Sequence, residues 1–458
     1  MKLPLSPPPF EQIVQNLNNA DNKEQLFRLL SANFGPVDNK GRYLHWDKLR
    51  HLQAPEGWAL EEYWAALKFA RKKLYKNLPF TAKNGEQFRF CLTDGMFKDL
   101  HWLDQNASGH IGMDKPVTNP HTRDSYLVSS LIEESISSSQ LEGASTTRNV
   151  AIDMLRQDRK PQDHGEQMIF NNYHAMQFIR EFKSEQLTES MILHLHGILT
   201  ENTLDAPKKA GKYREAGDDI HVVDATASVL LHTPPDATEL PDRVAKLCAF
   251  ANDTDAKEFI HPVIRAIILH FMIGYDHPFV DGNGRTARAL FYWSMANQGY
   301  WLMEFISISQ IIKQAPAQYG KAYLYSETDE NDLTYFIIHQ LEVIRKAITA
   351  LHRYLERKAA EIFEIEKCLE GSTLQGKLNH RQLAILRHAL DHPTTIYTIQ
   401  QHQAAHKLSY QTARTDLLKM ADDFHILSKR KYGNTFVFLA PPDLGQRLSQ
   451  MEARYAVK

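Results

Sequence analysis

At 458 residues the chain has length for roughly two to four domains, each able to bury a core. Its 53 Lys+Arg against 55 Asp+Glu leave a formal charge of −2, which excludes a global electrostatic drive toward nucleic acid or membrane while leaving room for a local patch. Cys91, Cys248 and Cys368 are too few and too scattered for a disulfide framework or a zinc site, and no run approaches the roughly 18 to 20 apolar residues of a membrane span, so a reducing cytoplasm is the expected setting.

Residues 1 to about 115 open with the proline-broken MKLPLSPPPFEQI, which lacks the apolar segment of an export signal, and continue with helix-like pieces such as Leu60 to Leu78. The run Arg71, Lys72, Lys73 reads as a solvated helix face, and nothing assigns this region a role. In Glu133 to Gly143 (EESISSSQLEG), Ser138 and Glu142 stand four apart on one helical face and Gly143 is placed as a terminator; taken alone, this is a helix end. Gly211 to Val223 (GKYREAGDDIHVV) is a glycine-punctuated turn followed by β-prone residues, the pattern of a small hairpin.

An apolar stretch from His261 to Asp276 predicts a helix leading into His277-Pro-Phe-Val-Asp-Gly-Asn-Gly-Arg-Thr-Ala-Arg288. Gly282 and Gly284 flank Asn283, so the backbone can turn tightly there and aim several N–H groups into one concavity that attracts phosphate. Arg285 to Asn297 lacks Gly and Pro and repeats apolar residues at helical spacing, so the positive end of a helix dipole faces the same anion. Arg285 and Arg288, three apart, can each hold a phosphate bidentately. Asp281, a lone carboxylate, suits Mg²⁺, which keeps its waters and takes other ligands from a nucleotide. His277, with an ordinary pKa near neutrality, is the natural proton acceptor.

Beyond the motif, Gln318 to Ser326 (QYGKAYLYS) carries Tyr319 and two further tyrosines. From Asp332, a plausible N-cap, Ile337, Leu341, Ile344, Ile348, Leu351 and Leu355 alternate steps of four and three. They predict a long helix over about 331–370, either docked along the preceding domain or zipped with a second copy as a homodimer. Residues 371–442 form a compact pattern. Asn379 and Gln382 make a capping box, Thr398 opens a second helix, Ser409 caps a third, and Phe424 to Leu439 reads as two strands around Tyr432-Gly433-Asn434. This order looks like a winged helix-turn-helix. On that resemblance Tyr410, Gln411, Thr412 and Arg414 face a DNA groove and Lys429, Arg430 and Lys431 meet phosphates, although such modules also bind proteins or dimerise.

The twelve motif residues resemble the signature of Fic-domain proteins, HxFx(D/E)GN(G/K)RxxR, with no fixed position missing. Eight specified positions coincide by chance on the order of once in 10¹⁰ starts. The resemblance implies a mainly α fold: a Fic-type helical catalytic domain over 116–330 with a small β-hairpin flap at about 211–223. It implies an adenylyltransferase that moves AMP from ATP to a Ser, Thr or Tyr hydroxyl of a protein target. His277 would be the base, Asp281 the Mg²⁺ ligand, Gly282, Asn283 and Gly284 the phosphate cradle, and Arg285 and Arg288 the β- and γ-phosphate clamp. Tyr319 would lie beside the adenine, although Ser326 stands where relatives commonly have asparagine. The segment ending in Ser138 and Glu142 resembles the family's inhibitory helix, (S/T)xxxE(G/N), at about 131–143, whose glutamate pairs with the second motif arginine. The expected resting state is therefore self-inhibited, and Glu142→Gly is expected to raise auto-adenylylation. The flap would present the target by backbone pairing. Two other readings stay open: a DNA-binding transcriptional regulator whose nucleotide site is a sensor, and a Fic enzyme that removes AMP or transfers another phosphate-containing group.

Overall fold

The computed structural model describes residues 2–17, 23–108, 120–224, 229–253, 258–368, 374, 376–392, 394–406, 408–432, 435–445 and 447–448. The fold is mostly helical; among the described residues, strands occur in two hairpins and one three-stranded sheet. Two compact units are present, one of Met1–Ile111, Glu133–Thr146 and Pro161–Ile348, the other of Gly112–Ile132, Thr147–Lys160 and Thr349–Lys458.

The first unit is organised around the helix Pro262–Asp276. Proline at its first position and the His261 side chain, which accepts from Val263 N, set its start. Residues Val263 to Ile273 are buried all the way round, so this helix is central to a core and not an amphipathic surface element. Beside it runs the helix Asn283–Asn297, buried over nearly its whole length. The helices His164–Glu181 and Glu189–Thr200 pack around this pair, each opened by a side-chain cap, from Asp163 and Thr188 respectively.

Residues 1–111 do not form a separate body, because buried charges tie them to the chain around 330. Arg71 is a core residue and not part of a solvated face. It is fully buried, donating from Nε to Pro36 O, from one terminal nitrogen to Tyr335 Oη (2.8 Å) and from the other to Leu44 O, with the guanidinium 3.7 Å from the Tyr43 ring centroid. Lys68, equally buried, pairs with Asp329 at 2.6 Å. Lys72 pairs with Glu11, and of the three-residue run only Lys73 is exposed. The expected helix through Leu78 stops at Lys72. Proline at position 79 cannot continue a helix, and Lys76–Thr81 instead pairs antiparallel with Gln87–Phe90.

The long helix spans Thr334–Cys368. Asp332 sits just outside it, accepting from Thr334 N at 3.0 Å while Tyr43 and Tyr75 donate to its other oxygen. Ile337, Leu341, Ile344 and Ile348 are wholly buried within the first unit, so this part of the seam is docked.

In the second unit the helices His380–Asp391, Ile399–His406 and Tyr410–Leu418 enclose a core that includes Leu386, Leu417 and Phe438. The strands Ile396–Thr398, Thr435–Leu439 and Ser428–Tyr432 lie in that spatial order, all antiparallel. The capping box of Asn379 with Gln382 and the Ser409 cap both form. Gly433 and Asn434 of the expected turn lie outside the described residues. Buried Asp416 gathers Arg381, Asn379 and His402, and these donors hold its carboxyl well below the usual range against the opposing effect of burial.

Candidate active site

The helix Pro262–Asp276 ends because His277 adopts a left-handed conformation, φ 46° and ψ 57°, which turns the chain away from the helix axis. His277 Nδ1 donates to Gly274 O at 3.1 Å, so the ring carries its proton there and leaves Nε2 as an acceptor. Burial lowers its pKa below the ordinary value. The Gly274 carbonyl opposes that shift, the His232 charge adds to it, Glu142 opposes it and Arg214 adds to it.

From His277 the loop is folded by its own residues. Asn283 Oδ1 accepts from Phe279 N at 2.9 Å and Asn283 Nδ2 donates to Phe279 O at 2.8 Å, closing a tight ring across the turn. Gly282 has φ 80°, and a Cβ there would lie 2.8 Å from Thr200 Cγ2, so the close approach of the loop to the helix Glu189–Thr200 requires glycine. The next helix begins at Asn283, placing the first amides of that helix where the sequence expects a phosphate cradle.

Arg285 is almost wholly buried; it donates to Leu199 O at 2.8 Å and approaches Asp281 at 3.4 Å, and its Nε is without a partner among the described residues. A buried, incompletely satisfied guanidinium is a ready anion receptor. Arg288 is held by the segment around Glu142. Its Nε donates to Ser138 Oγ at 2.9 Å, and one terminal nitrogen donates to Ser138 O at 3.0 Å and to Glu142 Oε1 at 2.7 Å. Burial disfavours its charge, but Glu142 and its other neighbours outweigh that and raise its pKa. The same carboxylate reaches the start of the motif helix, since a Cβ built on Gly284 would collide with Glu142 Oε1. Glu142 thus lies against both the second arginine and the helix N-terminus.

Asp281 has a side chain 56% exposed, with Arg285 as its ion-pair partner at 3.4 Å. Among the described residues no cluster of three or more His, Cys, Asp or Glu side chains could enclose a metal. A lone accessible carboxylate fits a hydrated hard ion that completes its shell from water and substrate, not a closed protein cage.

Tyr319 is drawn inward: its hydroxyl lies 2.8 Å from His270 Nε2, among Tyr323, Phe336 and His339. Ser326 is buried and donates to Ala322 O, so it belongs to helix packing. The hairpin lies later than about 211–223, pairing Val222–Asp224 with Val229–His232; the segment before it is held in a short 3-10 turn, Ala216–Asp218, braced by Lys209. Tyr410, Gln411 and Thr412 are exposed at the start of their helix, with Arg414 half-buried; they belong to the second unit, whereas the motif residues belong to the first.

Several residues that hold this site carry no sequence signal. Arg214 Nε donates to His277 O at 2.8 Å, and the same guanidinium reaches Pro235 O and Asp276 O. His232 is held between Tyr275 O at 2.7 Å and Glu327 at 2.6 Å; both partners accept, which raises its pKa against burial. Glu134, on the helix Pro120–Leu141 that leads into Glu142, is buried and accepts from Tyr292, Ser307 and Ser309. Each pairs residues far apart in sequence, where spacing rules are silent.

The Fic/DOC family model matches residues 186–295. The chain is similar to the protein adenylyltransferase Fic of Nematostella vectensis, 31% identical over 118 residues, which is 26% of this chain and 25% of that protein. It is 35% identical over 69 residues to the protein adenylyltransferase Fic of Drosophila melanogaster, 15% and 14% of the two lengths. The chain therefore spans about a quarter or less of the length of these relatives. Among solved structures, a Fic family protein from Desulfovibrio desulfuricans aligns over 79% of this chain and 98% of that one, at 17% identity and TM-score 0.48.

Proposed function

We propose that this chain, whose residues 186–295 match the Fic/DOC family model, is a protein adenylyltransferase that moves AMP from ATP to a hydroxyl of a target protein and of itself, and that Glu142 restrains it. The observation that carries this reading is the convergence of a neutral histidine, an anion-ready helix start and two buried arginines at one loop and the helix it opens, with a carboxylate already seated on the second arginine.

In the proposed reaction, His277 Nε2 takes the proton from the target hydroxyl, and that oxygen forms a bond to the α-phosphorus. The bond between the α-phosphorus and the bridging oxygen breaks, and pyrophosphate leaves. Arg285 and the loop amides hold the departing phosphates, and charge stabilisation with in-line positioning supplies most of the acceleration. Asp281 would hold Mg²⁺, which neutralises phosphate charge when bound. Arg288 would take the γ-phosphate once Glu142 moves aside; with Glu142 in place that oxygen site is filled, and ATP is turned from in-line attack.

The test uses ATP labelled at the α- or at the γ-phosphate with the wild-type chain, Glu142→Gly, and Glu142→Gly with His277→Ala. Label from the α-phosphate should stay on protein, rise in Glu142→Gly and vanish in the double variant. Protein-bound γ-label would reassign the enzyme to phosphate transfer, and release of AMP from pre-labelled protein would favour AMP removal.

A second reading attaches to residues 376–445. Their helix, strand, helix, helix, hairpin order supports a winged-helix arrangement, and the exposed Tyr410, Gln411 and Thr412 together with the basic sequence of the strand Ser428–Tyr432 favour contact with a DNA duplex. A gel shift across a salt series tests it, since phosphate contacts require affinity to fall steeply with salt.

A further inference from the structure

We infer that His196 is a positioning residue for the anion-binding loop, acting through the Asp281–Gly282 peptide; the inference rests on the adenylyl-transfer reading above. His196 is wholly buried on the helix Glu189–Thr200 and stacks on Phe279, centroids 3.7 Å apart and planes 4° from parallel. Its two nitrogens have opposite duties. Nδ1 lies 3.0 Å from Gly211 N, which can only donate, and Nε2 lies 2.9 Å from Asp281 O, which can only accept. The ring must therefore be neutral, with its proton on Nε2.

The consequence follows from peptide geometry. The Asp281–Gly282 bond is trans, so its C=O and N–H point in opposite directions across one plane. By drawing the Asp281 carbonyl toward the helix, His196 turns the Gly282 N–H to the far side of the loop, where a phosphate would lie. The ring acts on this peptide together with Arg285, which meets the Asp281 side chain at 3.4 Å, and Thr286, which donates from its amide and its hydroxyl to Gly282 O. The same ring also holds Gly211, three residues before the Arg214 that grips His277 O. One imidazole thus sets the orientation of an amide donor, the backbone beneath the metal-binding carboxylate, and the approach to the hairpin.

The test is made in the 458-residue Glu142→Gly chain, comparing His196, His196→Ala and His196→Gln. MgATP binding is measured by calorimetry, labelling rate at saturating ATP, and melting temperature by circular dichroism. Removing a group that orients a ligand-bearing loop costs about tenfold or more in affinity. His196→Ala should therefore weaken MgATP binding by about tenfold and slow labelling as well, while His196→Gln, whose amide can donate to Asp281 O and accept from Gly211 N, should recover most of both. Unchanged MgATP affinity in His196→Ala overturns the inference, as does a His196→Gln chain that melts like its parent yet binds as poorly as the alanine variant. A parent that binds MgATP but leaves no α-label on protein overturns adenylyl transfer alone and leaves the binding comparison standing. A parent that binds no MgATP overturns both.

Discussion

Glu142 and His277 illustrate how much one side chain decides here. With Glu142 removed, a guanidinium that is almost wholly buried keeps Ser138 as a partner but loses its counter-charge, so it gains a strong preference for an incoming phosphate. If a misplaced triphosphate is what limits the wild type, α-label incorporation by Glu142→Gly should rise on the order of 100-fold; equal incorporation by the two chains removes the restraint. His277 adds a pH signature. Its folded pKa is lowered, chiefly by burial, so the neutral form that accepts a proton persists to more acid pH than an exposed imidazole would allow. Glu142 is one of the groups holding that pKa up, so its removal shifts the value further down. A rate profile of Glu142→Gly between about pH 5 and 8 should therefore have its acid limb below the ordinary value of 6.5. An acid limb above 6.5 would deny His277 the role of base.

The helix Pro120–Leu141 ends in two bonds that close its last turn, Gly143 N to Gln140 O and Ala144 N to Ser139 O, with Gly143 at φ 96°. This termination places Glu142 just past the helix, facing Arg288 and not continuing the spiral. Deeper in the same helix Glu134 accepts from Tyr292 of the motif helix and from Ser307 and Ser309, so the element is pinned beneath the site by a second carboxylate. Glu134→Ala would strand several buried donors, costing about 3 kcal/mol. On the proposed reading it should also raise labelling, by less than Glu142→Gly, because the Glu142 carboxylate remains but the helix before it is loosened. Denaturant titration and labelling together check this; a destabilised chain with unchanged labelling would show that the anchor does not govern restraint. SxxxEG was legible as a helix end with a carboxylate beyond it. Glu134 was not, because its partners lie more than 150 residues away.

Across the first unit, the buried set of Lys68, Arg71, Asp329 and Asp332, with Tyr43, Tyr75 and Tyr335, joins the N-terminal residues to the start of the long helix. Burial pushes the Asp329 carboxyl up, but Lys68 and Arg71 pull it further the other way, leaving it below its ordinary range. Its contribution to stability is thus present above that range and is lost as pH falls through the lowered value. Asp329→Asn leaves Lys68 without its closest counter-charge and should destabilise this unit by about 3–5 kcal/mol. The core built on Leu386, Leu417 and Phe438 belongs to the other unit. Calorimetry should accordingly show one transition moving down and another staying in place; an unmoved first transition would mean that the network is not a stabilising core.

What the sequence determined alone was local. Gly282, Asn283 and Gly284 dictate a turn, the apolar run from Val263 dictates a buried helix, and HPFVDGNGRTAR carries the resemblance to the Fic signature, because each depends on neighbours a few residues apart. Tertiary structure decided the rest. Arg71 became a core residue, Tyr319 was bound to His270, the hairpin moved to Val222–His232, and His196, Arg214 and Glu134 were drawn to the loop and helix they hold. These outcomes depend on which distant donors and acceptors meet once the chain has closed, and a buried polar group takes whichever partner the packing supplies.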